Sequence, residues 1–366
     1  MVSLTQASNQ RRRLRVCVPS AQAEYISSVE YREVKLFDVG FHPKGHFGLL
    51  YCLCIVALAS SEAPAQQKLL IVRETEHMFT QAASSMSAEL AEAFGIYQIH
   101  VRENTGHEEV LDRIKTIVPQ IAVLMGDEAI AIFEKCQRKD PAVCGKLPVV
   151  ALFTQQLRQQ LTKMPNATGI HFEIPIVISV IHLRTILGRD ISRVGVLHPP
   201  ALKGFVDTNA VFCAREGIEL IPLSFTPRRL FAAIRTERAV SFLTDEQNVQ
   251  LLWLPRDNRL FTNKLVNRVW RPFADKHNIP IIVSSERFVS KPANFGTLAV
   301  FPDYKGYGTQ AAQLVFDIMC EDWRADEIPP LLPLSIYKVV NCTKALNQFS
   351  IGDNALRFVD KVTCAK

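Results

Sequence analysis

From residue 68 onward the chain alternates short apolar runs with longer stretches in which apolar and polar residues recur at helical spacing. The short Val-, Ile- and Leu-rich runs predict strands that are buried on both faces, and the stretches between them predict helices. Alternation of this kind is typical of βαβ units and predicts parallel sheets. In the first half of the chain the predicted strands are 68–72, 97–101, 121–126 and 147–153.

The alternation breaks at residues 164–175, which contain two prolines and one glycine and no clear helical period. A second βα series follows it. Its predicted strands are 193–198, 218–225, 249–255, 279–285 and 296–301, with a late strand at 334–341. Two such series predict an α/β protein of two doubly wound parallel-sheet lobes, with a ligand cleft at the carboxyl ends of the strands.

The same break sets the predicted domain boundaries. We expect lobe 1 to comprise residues 66–167 and 284–325, and lobe 2 to comprise residues 168–283. Residues 326–366 are predicted to form a hinge return and a C-terminal segment. The total length of 366 residues suits two domains of ordinary size.

Composition and charge exclude several classes of protein. Hydrophobic residues make up 48% of the chain and charged residues 21%, which is typical of a globular protein with a large core. The net charge of +6 comes from 42 basic and 36 acidic residues, too mild a balance to favour a nucleic-acid partner. Neither GxGxxG nor GxxxxGK[ST] occurs, so the commonest nucleotide-binding loops are absent from the sequence.

Residues 47–60 form an apolar run of 14 residues, shorter than the roughly 20 that span a bilayer. Lys44 precedes the run, and the small residues Ala63 and Ala65 follow it. This pattern predicts a secretory signal peptide cleaved after Ala65, with Ala59 as the alternative, and a periplasmic location. A start codon set too far upstream, a long n-region or a retained membrane anchor would each account for the residues ahead of the run. The remaining interpretation of the run is a buried core element.

Cleavage after Ala65 would remove three of the nine cysteines and leave six, an even number that suits an oxidising compartment. Cys136 and Cys144 are the closest pair and lie on either side of Asp140-Pro141, a turn signal. We therefore predict a disulfide bond between Cys136 and Cys144. The spacing of the other cysteines does not choose among the remaining connectivities.

No arrangement of residues in the sequence predicts catalysis or metal binding. GxSxG, HExxH and CxxC are all missing. Asp127 and Glu128 follow the third predicted strand, where a carboxylate pair suits acid–base chemistry. The alternative is that both residues stabilise a helix N-terminus by opposing its dipole. We expect a protein that is not an enzyme and that needs no cofactor and no metal.

Four short segments occur in an order and at a spacing typical of one protein family. They are Asn-Ala-Thr-Gly-Ile at 166–170, Arg-Val-Gly-Val-Leu at 193–197, Asp303-Tyr304 with Gly308 and Ala312, and Ile328-Pro329 with Val339-Val340-Asn341 and Ala345. Together they resemble the substrate-binding proteins of ABC transporters, in the subgroup with the type I periplasmic-binding fold. The resemblance covers residues 68–351. It implies two lobes joined by a hinge that close on a small molecule, with a membrane ABC permease as partner.

In that family, strand-end loops and helix N-termini hold the ligand, so the candidate residues lie just past predicted strand ends. In lobe 1 they are Glu74, Thr75, Gly126, Asp127, Phe153 and Thr154. In lobe 2 they are His198, Arg256 and Asp257, with Ser284, Ser285 and Glu286 at the return crossing. Phe153 is expected to supply an apolar wall, Asp127 or Asp257 to pair a ligand amine, and Arg256 to pair a carboxylate.

The expected function is extracytoplasmic capture of a small, amino-acid-like molecule in the interlobe cleft for an ABC importer. One alternative is a ligand-sensing module of a membrane signalling system. Another is a divergent paralogue with an altered cleft, because residues 153–156 read Phe-Thr-Gln-Gln where family members often carry Asp-Pro. An enzyme would need a catalytic pair across the cleft, and a repressor would need a helix-turn-helix in residues 1–65. Neither is visible in the sequence.

Overall fold

The computed structural model describes residues 66–364 apart from 103, 228–230, 350 and 352, and gives only the backbone of 346, 347 and 353. The predicted signal peptide and its cleavage position lie outside the described residues. No helix in the described ranges has both the length and the apolar character needed to cross a membrane.

The described strands and helices alternate along most of the chain. The strands are β1 (Gln67–Arg73), β2 (Phe94–His100), β3 (Ile121–Met125), β4 (Val149–Leu152), β5 (Ala167–Gly169), β6 (Arg193–His198), β7 (Glu219–Ser224), β8 (Leu251–Leu254), β9 (Ile281–Val283), β10 (Leu298–Pro302), β11 (Ile336–Asn341) and β12 (Lys361–Thr363). The α-helices are α1 (His77–Leu90), α2 (His107–Ile117), α3 (Asp127–Lys139), α4 (Pro141–Cys144), α5 (Leu157–Leu161), α6 (Ile176–Leu187), α7 (Lys203–Arg215), α8 (Ala232–Ser241), α9 (Asn263–Leu265), α10 (Arg271–Lys276), α11 (Tyr304–Cys320) and α12 (Cys342–Phe349).

The first sheet forms the centre of lobe 1 and is parallel throughout, in the order β2-β1-β3-β4-β5. Every residue of β3 is buried, and so is β1 from Leu69 onward. Leu69 and Ile71 pack with α1 and α11 on one face, whereas Leu70 and Val72 pack with α2 and α3 on the other. This two-sided burial explains why the strands appear in the sequence as unbroken apolar runs.

The second sheet forms the centre of lobe 2, in the order β12-β11-β10-β9-β8-β6-β7. Its neighbouring strands are parallel except for β11, which runs antiparallel to β10. Helices α8 to α10 cover one face of the sheet, and α6, α7 and α12 cover the other. Both sheets are therefore enclosed in helices, as the predicted doubly wound lobes require.

The predicted boundary at residue 284 is wrong for part of the chain. Strand β10 lies within the segment assigned to lobe 1, yet Leu298 and Ala299 pair with Ile282 and Val283 of β9 in the second sheet. Helix α11, which follows β10, does pack on α1 in lobe 1. The chain thus returns to lobe 1 at residues 302–304, because the buried apolar run of β10 completes the core of lobe 2 before the crossing.

Among the residues that the structure describes, three segments pass between the lobes, at 170–175, 302–304 and 328–336. The first and third are joined by a parallel bridge between Ile170 and Leu331, and the His171 amide donates to the Leu331 carbonyl at 2.8 Å. The Asp303 amide donates to the Ser335 carbonyl at 3.0 Å, which ties the second crossing to the third. Backbone hydrogen bonds therefore hold the crossings together as one hinge.

The predicted Cys136–Cys144 disulfide does not form. Both residues are free thiols buried in the core of lobe 1, and the Cys136 thiol donates to the His107 carbonyl at 3.2 Å. Burial raises the pKa of Cys136 to about 12 and that of Cys144 to about 11, so both behave as apolar core residues. The described disulfide instead joins Cys342, at the start of α12, to Cys364, just past β12.

Candidate functional site

The carboxyl edge of the first sheet carries an acidic side chain set against the start of α3. Glu74 follows β1, and a β-carbon at Gly126 would collide with its carboxylate. Gly126 also has a φ of 101°, a conformation that favours glycine. Burial, with the charges of Glu76 and Glu128, raises the pKa of Glu74 despite a hydrogen bond from the Glu128 amide. Glu74 therefore fills the amide-rich N-terminus of α3, where an anionic ligand group would otherwise fit.

The next two strand ends of lobe 1 are tied to each other. The hydroxyl of Thr154, after β4, donates to the carboxylate of Asp127, at the start of α3. Thr154 is buried, whereas Asp127 and Thr75 are exposed. Asp127 thus already accepts a hydrogen bond from within its own lobe.

Phe153 belongs to an aromatic cluster that joins lobe 1 to the first crossing. Its ring lies 4.7 Å from Tyr307, 5.1 Å from Phe79 and 5.2 Å from Phe172, measured between centroids. Its amide donates to the Tyr307 hydroxyl at 3.3 Å, and that hydroxyl donates to the Ile170 carbonyl at 2.6 Å. Phe153 is only 4% exposed, so its ring packs in the core and presents little surface to a cleft.

Two guanidinium groups lie together on the lobe 2 side. Arg256, which follows β8, is half-buried, and its guanidinium lies over the Phe172 ring at 5.0 Å. In the described part of the chain Arg256 has no hydrogen bond and no ion pair. Burial and the charge of Arg256 lower the pKa of Arg287, even though Glu76 of lobe 1 opposes that shift. Two neighbouring arginines with unused donors are suited to bind a carboxylate or a phosphate.

Asp257 and Ser284 carry buried polar atoms with no partner. Asp257 is 7% exposed, and its Oδ1 accepts from the amide and the Nε of Arg259, both at 3.0 Å. Its Oδ2 and the Ser284 hydroxyl are buried and have no hydrogen-bond partner among the described residues. Because Leu254 pairs with Val283, the loops that carry both groups start side by side at the same edge of the sheet.

The other predicted residues of lobe 2 have partners within that lobe. Glu286 pairs with Lys361 at 2.7 Å. His198 is 2% exposed, and its Nδ1 lies 2.9 Å from the Pro199 carbonyl oxygen. The Ser285 carbonyl accepts from a backbone amide in the turn that follows it. Whether any of the three contacts a ligand stays a prediction.

A pocket of about 410 Å³ lies between the lobes, next to the first crossing. The β4–α5 loop of lobe 1 forms one side, and α7 of lobe 2 with the turn before it forms the other. The walls are mainly apolar, and Phe172, Leu202, Phe205 and Phe212 are the larger side chains. Of the predicted ligand residues, Thr154 lines this pocket.

The polar groups of the pocket come mostly from the first crossing. Burial raises the pKa of Glu173 to about 7, although the charge of Arg256 opposes the shift. Burial and the charge of Arg158 lower the pKa of His171. Asn209 of α7 accepts from the Ile176 amide at 2.8 Å and so fixes the crossing against that helix. No group of three or more His, Cys, Asp or Glu side chains in the described ranges could hold a metal ion.

Sequence reasoning missed most of this pocket. It located the crossing at 164–175 from its prolines and broken periodicity, but it searched strand ends for ligand residues and not the crossing itself. The pocket face of α7 was also missed, because Phe205 and Phe212 are seven residues apart, a spacing typical of a core-facing helix.

Solved structures share this fold. The ligand-free, open structure of CD0873, a substrate binding protein with adhesive properties from Clostridium difficile, is 12% identical and has a TM-score of 0.60, over 82% of this chain and 100% of that one. A variant of the XylFII–LytSN complex is 9% identical with a TM-score of 0.51, over 77% of this chain and 100% of that one. No protein-family model and no curated protein matches the sequence. The likeness shows the fold, a two-lobed α/β fold of the type I periplasmic-binding class, and confirms the predicted fold class.

Proposed function

We propose that the chain is an extracytoplasmic solute-binding protein that captures a small, amino-acid-like molecule between its lobes for a membrane ABC permease. The observation that carries the proposal is the pocket of about 410 Å³, which is lined by both lobes and by the first crossing. Pockets of this size and apolar character are typical of small-molecule sites. The proposal involves no reaction and no cofactor.

Two features support a ligand that combines an apolar part with a carboxylate. The large side chains of the pocket are apolar, which favours an apolar body of the solute. The guanidinium of Arg256 lies on the ring of Phe172, which itself lines the pocket, and its donors have no partner among the described residues. Arginine recognises a carboxylate through paired hydrogen bonds, so the solute is proposed to place its anionic group there.

The position of the pocket also supports capture by hinge closure. A solute that contacts the β4–α5 loop and α7 at once contacts both lobes, so it binds more tightly when the lobes approach. That difference in affinity is what shifts a two-state hinge towards its closed form.

The Cys342–Cys364 disulfide supports an extracytoplasmic location, since structural disulfides persist in oxidising compartments. The proposed periplasmic location and the cleavage near Ala65 can be tested by N-terminal sequencing of the protein recovered from cells. An intact first residue in the membrane fraction would contradict secretion.

A thermal-shift screen of residues 66–366 with amino acids, short peptides and sugars tests the function. A solute at 100 times its Kd stabilises the folded state by about 2.7 kcal/mol. We expect at least one amino acid with an apolar side chain to raise the Tm. A panel in which no solute raises the Tm would contradict the proposal.

A further inference from the structure

We propose that Glu173, on the first crossing, binds the ammonium group of the solute, so that the pocket selects a free α-amino acid with an apolar side chain. This inference rests on the proposed function and makes it more specific. It assigns the recognition of one chemical group to a residue of the hinge, outside the strand-end loops that supply the predicted ligand residues.

Glu173 is an acidic residue of the pocket wall that has no partner. It lines the pocket directly after Phe172, and it is half-buried. Its carboxylate forms no hydrogen bond and no ion pair with another described residue. The raised pKa of about 7 reflects the cost of holding a carboxylate away from water with nothing to neutralise it. A cationic group in the pocket would remove that cost.

The other groups around the pocket leave the binding of a cation to Glu173. Arg158 and His171 are the remaining titratable residues of the described lining. Burial and the charge of Arg158 lower the pKa of His171, so its ring is neutral near pH 7. The lining side chains of α7 and of the third crossing do not titrate. Asp127 and Asp257, the acids that the sequence predicts for an amine, do not line the pocket.

A group that suits the carboxylate of the same solute lies beside Glu173. The Arg256 guanidinium lies over the ring of Phe172, the residue before Glu173, and its charge acts on the Glu173 carboxyl group. An α-amino acid carries its ammonium and its carboxylate on one carbon atom, so it can pair with Glu173 and Arg256 together. A solute with a carboxylate alone would leave Glu173 unpaired, and a second carboxylate next to Glu173 would be repelled.

Pairing with a cation has a measurable consequence for the proton on Glu173. An ammonium beside the carboxyl group lowers its pKa, because it stabilises the ionised form. At pH 6.5 a carboxyl group with a pKa of about 7 is protonated in roughly three quarters of the free molecules, so binding should release roughly that fraction of a proton. A hydroxyl group, which carries no charge, lowers the pKa less.

Isothermal titration of residues 66–366 at pH 6.5 tests this assignment with three probes. L-Phenylalanine carries a carboxylate and an ammonium, L-phenyllactate replaces the ammonium with a hydroxyl, and 3-phenylpropionate has neither. We expect phenylalanine to bind about tenfold or more tightly than either of the others, because a hydrogen bond to a charged group is worth that factor or more. Titrating phenylalanine in two buffers with different enthalpies of ionisation measures the proton release.

Glu173→Gln removes the charge and keeps the shape of the side chain. The matched control is Glu237→Gln, at an exposed glutamate of α8. We expect Glu173→Gln to bind phenylalanine about tenfold or more weakly than the wild type and to lose the proton release. Glu237→Gln should match the wild type in both measurements. The proton release of the wild type decides the matter if Glu173→Gln does not fold.

The outcomes separate the role of Glu173 from the proposed function. If phenyllactate or phenylpropionate binds as tightly as phenylalanine, or if phenylalanine binds without releasing a proton, Glu173 does not hold an ammonium and the inference is overturned. Wild-type affinity in a folded Glu173→Gln variant overturns it as well, and so does a wild type that binds none of the three probes. In each case a solute found in the wider screen still supports solute binding, whereas the absence of any such solute overturns both proposals.

Discussion

The Arg256 guanidinium lies over the ring of Phe172, 5.0 Å from its centroid, and so joins a strand end of lobe 2 to the first crossing. Phe172 in turn packs on Phe153 of lobe 1 and lines the interlobe pocket. Arg256 of lobe 2 thus contacts Phe172, the aromatic residue that packs against lobe 1 and lines the pocket. A solute carboxylate at Arg256 would be placed beside the apolar wall of the pocket.

The Arg256→Lys substitution tests that arrangement. Lysine keeps the charge but loses the planar fork and the stacked contact, so we expect the Kd for a carboxylated solute to rise about tenfold or more. Titration calorimetry measures the change. Arg138→Lys, at an exposed arginine on α3, is the control and should bind as the wild type does. Equal affinity in Arg256→Lys would show that the guanidinium does not hold the solute.

Gly126→Ala should destabilise the fold. The φ of 101° is strained for any residue with a β-carbon, and that carbon would collide with the Glu74 carboxylate. We expect a loss of about 1–3 kcal/mol in the free energy of unfolding, measured by urea denaturation. Gly204→Ala is the matched control, since a β-carbon there meets nothing within 4 Å. The double variant Gly126→Ala/Glu74→Ala should regain the part of the unfolding free energy that the collision with the Glu74 carboxylate costs. If the double variant is no more stable than Gly126→Ala, Glu74 does not lie against Gly126.

The Cys342–Cys364 disulfide closes a loop with a sequence separation of 22. Removing it with Cys364→Ser should lower the free energy of unfolding by about 3 kcal/mol in the loop-entropy model. Reductant should destabilise the wild type by a similar amount and leave Cys364→Ser unchanged. Peptide mapping under non-reducing conditions identifies the pairing, and a peptide linked through Cys136 and Cys144 would contradict the structure.

Glu173 should make stability depend on pH. Its pKa is raised from the ordinary value of 4.5 to about 7, so between these values the folded protein binds more protons than the unfolded chain. The free energy of unfolding should therefore fall as the pH rises from 4.5 through 7, by on the order of 2–3 kcal/mol. Glu173→Gln should remove this slope. The difference between the unfolding free energies of the wild type and Glu173→Gln, measured against pH, gives the contribution of Glu173 alone. If the two curves run parallel, the pKa of Glu173 is not raised.

The fold was largely predictable because burial on both faces leaves a strong trace in the sequence. The run around Leu69–Val72 has no polar interruption, as expected for a strand that is enclosed by helices on both faces. The sequence of a strand does not show which of the two sheets the strand joins. Strand β10 is as apolar as the strands of lobe 1, and its pairing with β9 depends on where the chain crosses, which its own composition does not encode.

The candidate site was less predictable for a similar reason. Asp257 and Ser284 follow strands, so their position at the sheet edge could be inferred. That Asp257 Oδ2 and the Ser284 hydroxyl have no hydrogen-bond partner among the described residues depends on tertiary contacts. Glu173 lies on a crossing without periodicity, and its raised pKa comes from burial that appears only in the folded protein. Cys342 and Cys364 likewise meet because α12 and β12 pack together, whereas Cys136 and Cys144, which are closer in sequence, are buried free thiols.

Filling the interlobe pocket tests whether the solute binds there. Gly204 lines the pocket in α7, and a β-carbon there meets open space, so Gly204→Leu should fold and place its side chain in the cavity. Ala214→Leu adds a side chain to an exposed position of the same helix. In titrations with the solute that raises the Tm most, we expect Gly204→Leu to lose about tenfold or more in affinity and Ala214→Leu to match the wild type. Wild-type affinity in a folded Gly204→Leu variant would show that the solute binds outside this pocket.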